Sequence, residues 1–331
     1  MIRVGMLSYW HVHAWDYTKQ VQGNPNTEIV AVWDELPNRG QENADKLGVQ
    51  FIADLDELLA RTDIDAVVVD TPTNMHRDVM VKAARAGKHI FTEKVIAPTL
   101  SEVNEIIAAV NEAGVKLTVS LPRINDSYTL AAQEVLSKGL LGELTQVRVR
   151  LSHNGATAGW LPEHFYNLEQ CGGGALIDLG CHPVYLTRLF LGLPESVNAT
   201  FGHVTGKEVD DNTVTTLRYA NGAFGIAEAG FVNACSPFCF EIHGTDGSLL
   251  YGFPDEAVRV RSTKSDSPQE WVTIEQPANR IPAFDQWVGH ILNDTTADEN
   301  IALAIDLTKI MEASTISENE KRSVSLSELK N

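Results

Sequence analysis

The feature that most constrains the fold is the grammar of the first 120 or so residues, where short β-branched runs alternate with amphipathic stretches. The runs "TEIVAVWD", "IDAVVVDTP", "HIFTEK" and "KLTVSLP" are separated by stretches such as "HRDVMVKAARAG" and "LSEVNEIIAAVNEAG". Gly87 and Gly114 stand where helix C-terminal glycines belong, each followed within a few residues by the next apolar run. Apolar strands joined by helices of this length predict a parallel sheet covered on both faces, hence a doubly wound α/β domain.

After Pro122 the grammar changes. A helical stretch over 127–138 and the segment "GALIDLGCHPVYLTRLFLG" flank the strand-like "LTQVRVRLSHN". From Ser196 to about Ile274 strand-like runs follow one another without helices, and Asn221-Gly222 between two alternating runs marks a hairpin. This predicts an α+β domain with a large, mostly antiparallel open sheet and flanking helices. Two segments with helical apolar spacing close the chain, "IPAFDQWVGHILND" and "ENIALAIDLTKIMEASTISEN". A length of 331 residues exceeds what one core usually supports. We therefore expect domains at 1–122 and 123–331, with the last helix packing back on the first.

Charge narrows the partners. A formal net charge of -18 repels nucleic acid and anionic membranes, and no apolar run approaches the ~20 residues that span a bilayer. The first residues carry no export pattern, and the four cysteines (Cys171, Cys181, Cys235 and Cys239) suit a reducing compartment, so a cytoplasmic protein is expected. Cys235 and Cys239 have no CxxC companion and read as thiols rather than zinc ligands.

Three constellations carry chemistry. The first is "MIRVGMLSYWHVHAWDY". Where doubly wound proteins place a glycine-rich turn over a dinucleotide phosphate, this turn offers Ser8, Tyr9, Trp10, His11 and His13. Two readings stand open, an altered nucleotide turn and a His-x-His metal site. Asp34, ending the second strand, stands where a carboxylate accepts hydrogen bonds from an adenosine ribose, although it also suits the start of the next helix. An acid there disfavours a 2'-phosphate, so NAD is expected over NADP, a preference that Arg39 weakens.

The second constellation is "TEKVIA", which puts Lys94 beside Glu93 at a strand end facing the ligand crevice. A lysine there can stabilise charge developing on a reacting oxygen, or can form only a surface pair. "TPTNMH" ends the preceding strand at the same edge, with Thr71, Pro72, Asn74 and His76 in reach of a cofactor or forming a plain turn. The third is "CGGGALIDLGCHPVYL", where Asp178 and His182 are four residues apart and share a helical face. A histidine beside a carboxylate is a common general base, and Pro183 kinks or restarts the helix that carries it.

Taken in order, Thr71-Pro72 with His76, Glu93-Lys94 with Ala97, and Gly172-Gly173-Gly174 with Asp178, Gly180 and His182 resemble the motifs of the Gfo/Idh/MocA oxidoreductases. The resemblance runs over essentially the whole chain. It implies a Rossmann-type domain that binds a nicotinamide cofactor, and a sheet-rich second domain that forms homodimers or homotetramers through its open face. It also implies hydride transfer to or from a secondary hydroxyl of a sugar, polyol or inositol-like substrate. By position, Lys94 would polarise the reacting oxygen, His182 would take the hydroxyl proton, and Asp178 would hold His182 or a neighbouring hydroxyl. Arg123 matches a substrate-side arginine, and His153, Asn154, Trp160, His164, Tyr166 and Asn167 lie where specificity residues are expected.

The chain also departs from that pattern. Val95 replaces the proline after the lysine, and Ser8, Trp10 and His13 occupy the three glycine positions of G-x-G-x-x-G. Ser8, His11 or His13 is expected to donate hydrogen bonds that replace lost backbone contacts to the pyrophosphate. A metal-dependent hydrolase would need eight βα units, and the alternation stops near residue 120, so no metal is expected. Two alternatives keep the fold: an NAD-recycling epimerase, lyase or glycosidase, and a non-catalytic nucleotide sensor. The sensor reading leaves the joint presence of Lys94, Asp178 and His182 unexplained.

Overall fold

The computed structural model of the chain describes residues 1–330. They divide into two compact units, residues 1–120 with 281–305, and residues 121–280 with 306–330.

The first unit runs β1 (Ile2–Leu7), α1 (Ala14–Gly23), β2 (Thr27–Trp33), α2 (Pro37–Leu47), β3 (Gln50–Phe51), α3 (Leu55–Ala60), β4 (Ala66–Val69), α4 (His76–Arg85), β5 (His89–Thr92), α5 (Leu100–Ala113) and β6 (Leu117–Val119). The strands pair in parallel in the order β3-β2-β1-β4-β5-β6. All of β4 is buried, as a strand covered on both faces requires. The order reverses at β1, between β2 and β4, so ligand-facing loops gather past the carboxyl ends of these strands. Gly87 and Gly114 take φ of +73° and +66°, the left-handed conformation in which glycine ends a helix at no steric cost.

Residues 281–305 return to this unit rather than staying with the second, which refines the boundary drawn from sequence. The reason is apolar. On the helix Ala283–Asn293, Phe284 and Trp287 are fully buried, with ring centroids 5.4 and 5.8 Å from Phe91 of β5. Burying such side chains contributes about 2–3 kcal/mol each. Trp287 also donates its indole N–H to the Lys116 carbonyl at 3.2 Å.

The second unit holds α6 (Ser127–Ser137), β7 (Leu144–Ser152), the helix Cys181–Leu191, and strands β8 (Ser196–Gly202), β9 (Asn212–Arg218), β10 (Phe224–Gly230), β11 (Cys239–Gly244), β12 (Gly247–Tyr251), β13 (Val258–Ser262), β14 (Val272–Ile274) and β15 (Val324–Ser325). They form one sheet in the order β14-β13-β12-β11-β7-β10-β9-β8-β15. Every pairing is antiparallel except β7 with β10. The hairpin at Asn221-Gly222 forms with Arg218 opposite Phe224 and Gly222 at φ +86°. The closing helix, Asp298–Glu320, begins in the first unit's residues and ends in the second's. No helix among the described residues is long and apolar enough to cross a membrane.

Candidate functional site

At the carboxyl end of β1 the chain turns through Ser8 at φ +77°, a left-handed conformation normally left to glycine and costing a side-chain-bearing residue about 1–2 kcal/mol. Hydrogen bonds offset the cost. The Ser8 hydroxyl oxygen accepts from the Trp10 amide at 3.1 Å and from the Arg39 guanidinium at 3.3 Å. The next amides are spent within the protein too: Tyr9 N–H donates to Asp34, His11 N–H to the Asp70 carbonyl, and His13 N–H to His11 Nδ1. The groups that a glycine turn would offer to a pyrophosphate therefore already hold the turn itself.

Asp34 is committed in the same way. Its two oxygens accept from Tyr9 N, Leu36 N and twice from Arg39, at 2.8–2.9 Å, which fills the roughly four acceptor positions of a carboxylate. Asp34 thus holds the turn and Arg39 in place at the end of β2. Asp34 and Glu35 both pair with Arg39, whose side chain remains partly exposed.

At the end of β5, Glu93 and Lys94 are both buried, with Lys94 Nζ 3.4 Å from Glu93 Oε1. The second Glu93 oxygen accepts from the hydroxyl of Tyr17, on α1, whose oxygen lies 2.7 Å from Ser120 Oγ and has a lone pair for the Ser120 hydroxyl. His13 Nδ1 lies 3.7 Å from that same oxygen. Burial alone would raise the Glu93 carboxyl, but His11, Lys94 and His13 around it hold it well below the usual carboxylate range. Burial, reinforced by Glu93, pushes the Asp70 carboxyl at the end of β4 well above its ordinary value. Tyr17, Ser120 and Asp70 were not among the residues singled out from sequence.

At the β4 end the geometry gives His76 a structural role. His76 is fully buried, with Nδ1 2.9 Å from the Val95 carbonyl and Nε2 3.2 Å from that of Thr71. It ties the turn after β4 to the turn after β5, with both ring nitrogens near backbone carbonyls. Thr71 and Pro72 are likewise interior, whereas Asn74 is exposed. Burial lowers the His76 imidazole below its usual 6.5, against the pull of the carbonyls around it. The unfolded chain then binds more protons between the two values, so this contribution to stability is complete above about pH 6.5 and lost as pH falls below it. His76→Gln is expected to lower the melting temperature at pH 7 and to flatten its decline toward pH 5. A decline as steep as the parent's would remove His76 as its source.

In the second unit the glycine-rich segment is shaped by Asp210. Its carboxylate accepts from the Gly174 and Leu176 amides at 2.8 Å each, and a Cβ on Gly174 would sit 2.0 Å from the Asp210 carbonyl oxygen. At Gly174 the close approach is therefore to the chain's own backbone. Residues Leu176–Gly180 form a wide π-helical turn that runs into the helix Cys181–Leu191. Pro183 falls in that helix's first turn, where its missing N–H is tolerated. Asp178 and His182 thus ride on continuous helical backbone. His182 Nδ1 lies 2.9 Å from the Tyr185 hydroxyl, which accepts from the Arg123 amide at 3.1 Å.

The remaining expected substrate residues separate into two groups. The Arg123 guanidinium lies 4.2 Å from the Phe238 ring centroid and donates to the Tyr128 hydroxyl at 2.9 Å. The His153 ring stacks on Phe231 and faces Trp160, whose indole N–H donates to Asn154. Burial lowers the His153 imidazole while Asp178 pulls it back up, so Asp178 acts electrostatically on the His153 cluster. By contrast, Asn167 caps a short helical turn through Gln170 N–H, and buried Tyr166 lies beneath Lys207. His164 offers its carbonyl to the Cys171 thiol at 3.3 Å.

Comparison with known proteins follows the same division. Residues 1–121 match the NAD-binding Rossmann-fold model of the GFO/IDH/MocA oxidoreductase family, and residues 129–250 match that family's C-terminal domain. The inositol 2-dehydrogenase of Rhizobium meliloti is 32% identical over 263 residues, covering 75% of this chain and 74% of that protein. The 1,5-anhydro-D-fructose reductase of Ensifer adhaerens is 28% identical over 305 residues, covering 87% and 89%. A levoglucosan dehydrogenase solved with NADH and levoglucosan superposes with a TM-score of 0.82 over 98% of this chain and 99% of that one, at 20% identity. With a doubly wound domain carrying Glu93-Lys94 and a second domain carrying Asp178 and His182, the chain belongs to the Gfo/Idh/MocA family of NAD(P)-dependent sugar and inositol oxidoreductases.

Proposed function

We propose that this chain is an NAD-dependent dehydrogenase that moves a hydride between the nicotinamide and a secondary hydroxyl of a cyclic polyol or sugar. The observation that carries the reading is buried Lys94 at the carboxyl end of β5, held beside Glu93. A lysine fixed there donates to the reacting oxygen and stabilises the alkoxide-like charge that precedes hydride departure. His182 takes the hydroxyl proton, and Asp178 holds a neighbouring hydroxyl. The cofactor supplies the hydride chemistry. Arg123 and the His153, Asn154 and Trp160 cluster read the substrate's other hydroxyls, since paired polar groups best discriminate such a ligand. The test is a panel of inositols, aldoses and anhydrosugars incubated with NAD, read by NADH formation. Cofactor binding without turnover on any member would favour the sensor reading, and turnover without released NADH would favour internal recycling.

The preference for NAD over NADP rests on charge. Asp34 and Glu35 outweigh Arg39, so the end of β2 keeps one net negative charge that repels a 2'-phosphate. Glu35→Gln is expected to relax the preference for NADH over NADPH by about three- to tenfold, as befits one partly screened charge. Equal ratios in parent and variant, measured by fluorescence titration, would detach the preference from this acid.

The reading extends to assembly. The helix Cys181–Leu191 packs on the face of β7 and β10 that buries Val147, Val149 and Ala227, while the other face presents half-buried Arg148, Glu228 and Ile226. A second copy covering this open face gives a homodimer, with tetramers by further pairing. Light scattering that returns only monomer at micromolar concentration would end this part of the reading.

A further inference from the structure

His11 and His13 flank Val12 in the turn after β1, and their rings meet edge to face with centroids 4.8 Å apart. His11 Nδ1 also accepts from the His13 amide at 3.3 Å, and both rings converge on the end of a different strand. One ring nitrogen from each histidine and one oxygen of Glu93 all lie within 4.8 Å of one another.

We propose that His11, His13 and Glu93 form a binding site for one divalent cation of the zinc class. Two imidazoles and a carboxylate are a donor set that zinc favours over magnesium or calcium, and three protein ligands leave a fourth position for water or a ligand hydroxyl. The inference goes beyond the dehydrogenase reading and does not depend on it.

The surroundings divide the Glu93 carboxylate in a way that leaves room for a cation. Lys94 approaches Oε1, whereas His13 approaches Oε2. Tyr17 donates to that same Oε2 and is itself buried, so it acts as the outer partner that orients a ligating carboxylate. Oε2 retains a second acceptor position on the side of the histidines. The ligand atoms lie within 4.8 Å of one another, with His13 Nδ1 3.7 Å from Glu93 Oε2, and small side-chain rotations bring them to zinc's bond lengths of roughly 2.0–2.2 Å. The His13 side chain, 43% exposed, has the freedom to make that movement.

A second observation points to a cation independently. Asp70 ends β4 and receives the His11 amide on its backbone carbonyl at 3.3 Å. Its side chain is fully buried, and neither carboxyl oxygen has a hydrogen-bond partner. A buried acid without a donor is costly when ionised, and a cation bound in the turn that the Asp70 carbonyl supports would offset that cost. The cation would also pin the glycine-free turn to β5, a link that the sequence of a glycine-rich turn does not need.

The test uses the full chain with any purification tag removed. It is stripped with chelator, loaded with Zn2+, desalted and assayed by elemental analysis, and the Co2+-substituted form is examined by absorption spectroscopy. We expect one zinc per chain, a higher melting temperature on loading, and cobalt bands typical of four or five ligands. His11→Ala and His13→Ala should each weaken retention by about tenfold or more and abolish the thermal shift. Melting of the metal-free variants near the metal-free parent checks that they fold. If they do not fold, the cobalt spectrum of the parent decides: bands of an octahedral aquo type overturn the site. Substoichiometric zinc in the parent, or equal retention by folded variants, also overturns it. NADH titration of the metal-free parent separates the two readings, since cofactor binding without zinc retention removes only the cation site.

Discussion

Replacing Lys94 by methionine should lower turnover of a polyol substrate by about 10²–10³-fold, the usual cost of deleting one donor that stabilises a developing oxyanion. Methionine keeps most of the lysine stem, so packing around the buried side chain is largely retained. The loss should fall on kcat and on kcat/KM alike, because the interaction is made chiefly as charge builds on the oxygen. NADH affinity should stay within about threefold. Removing one partner of a buried pair also destabilises, here softened because Glu93 keeps Tyr17 and His13 as neighbours. A melting curve and a cofactor titration therefore accompany the kinetics. Lys94→Arg retains the charge but not the reach, and should recover only part of the rate. If folded Lys94→Met retains more than about a tenth of parental turnover, the oxygen-polarising role goes to another group, and the cation proposed at His11, His13 and Glu93 becomes the first to examine.

How far these sites were legible depends on how far apart their parts lie in sequence. The doubly wound unit was readable because strand, helix and capping glycine recur locally, as Gly87 and Gly114 illustrate. The hairpin at Asn221-Gly222 was readable for the same reason. The return of Phe284 and Trp287 to a core built around Phe91 was not, because helical spacing says that a face is apolar and not what it covers. Lys94, Asp178 and His182 stood out through motif order. Their supporting residues did not: Tyr17 reaches Glu93 across 76 positions and Ser120 across 103. His76 matched a motif and still proved to be a brace between two turns, since a pattern fixes position but not what each ring nitrogen faces. Asp34 taught the same lesson, its acceptors being filled by Arg39 and two amides. Tyr185 was not singled out either, although three positions from His182 on a helix is a spacing that lets two side chains meet.

That tyrosine sets the second large expectation. His182→Ala should reduce turnover by about 10²–10⁴-fold, the range for removing a general base. For His182 to accept a proton at Nε2, its neutral ring must carry hydrogen on Nδ1, and the nearest partner for that hydrogen is the Tyr185 oxygen at 2.9 Å. The same oxygen already accepts from the Arg123 amide, which leaves its second lone pair for the imidazole. Tyr185 is thus a positioning residue that selects the useful tautomer, with its own hydroxyl kept protonated because burial raises its pKa well above the ordinary value. Tyr185→Phe keeps the ring in the core and removes the acceptor. The acid limb of the kcat profile should then move to lower pH, since a cationic imidazole loses the bond that favoured it, and the plateau should drop by about tenfold as both tautomers populate. KM should change little, because the tyrosine touches the base and not the substrate. A merely structural role would lower stability and leave the pH profile where it was. An unmoved acid limb in a folded Tyr185→Phe protein would return the orienting task to Asp178, the carboxylate four residues before the histidine.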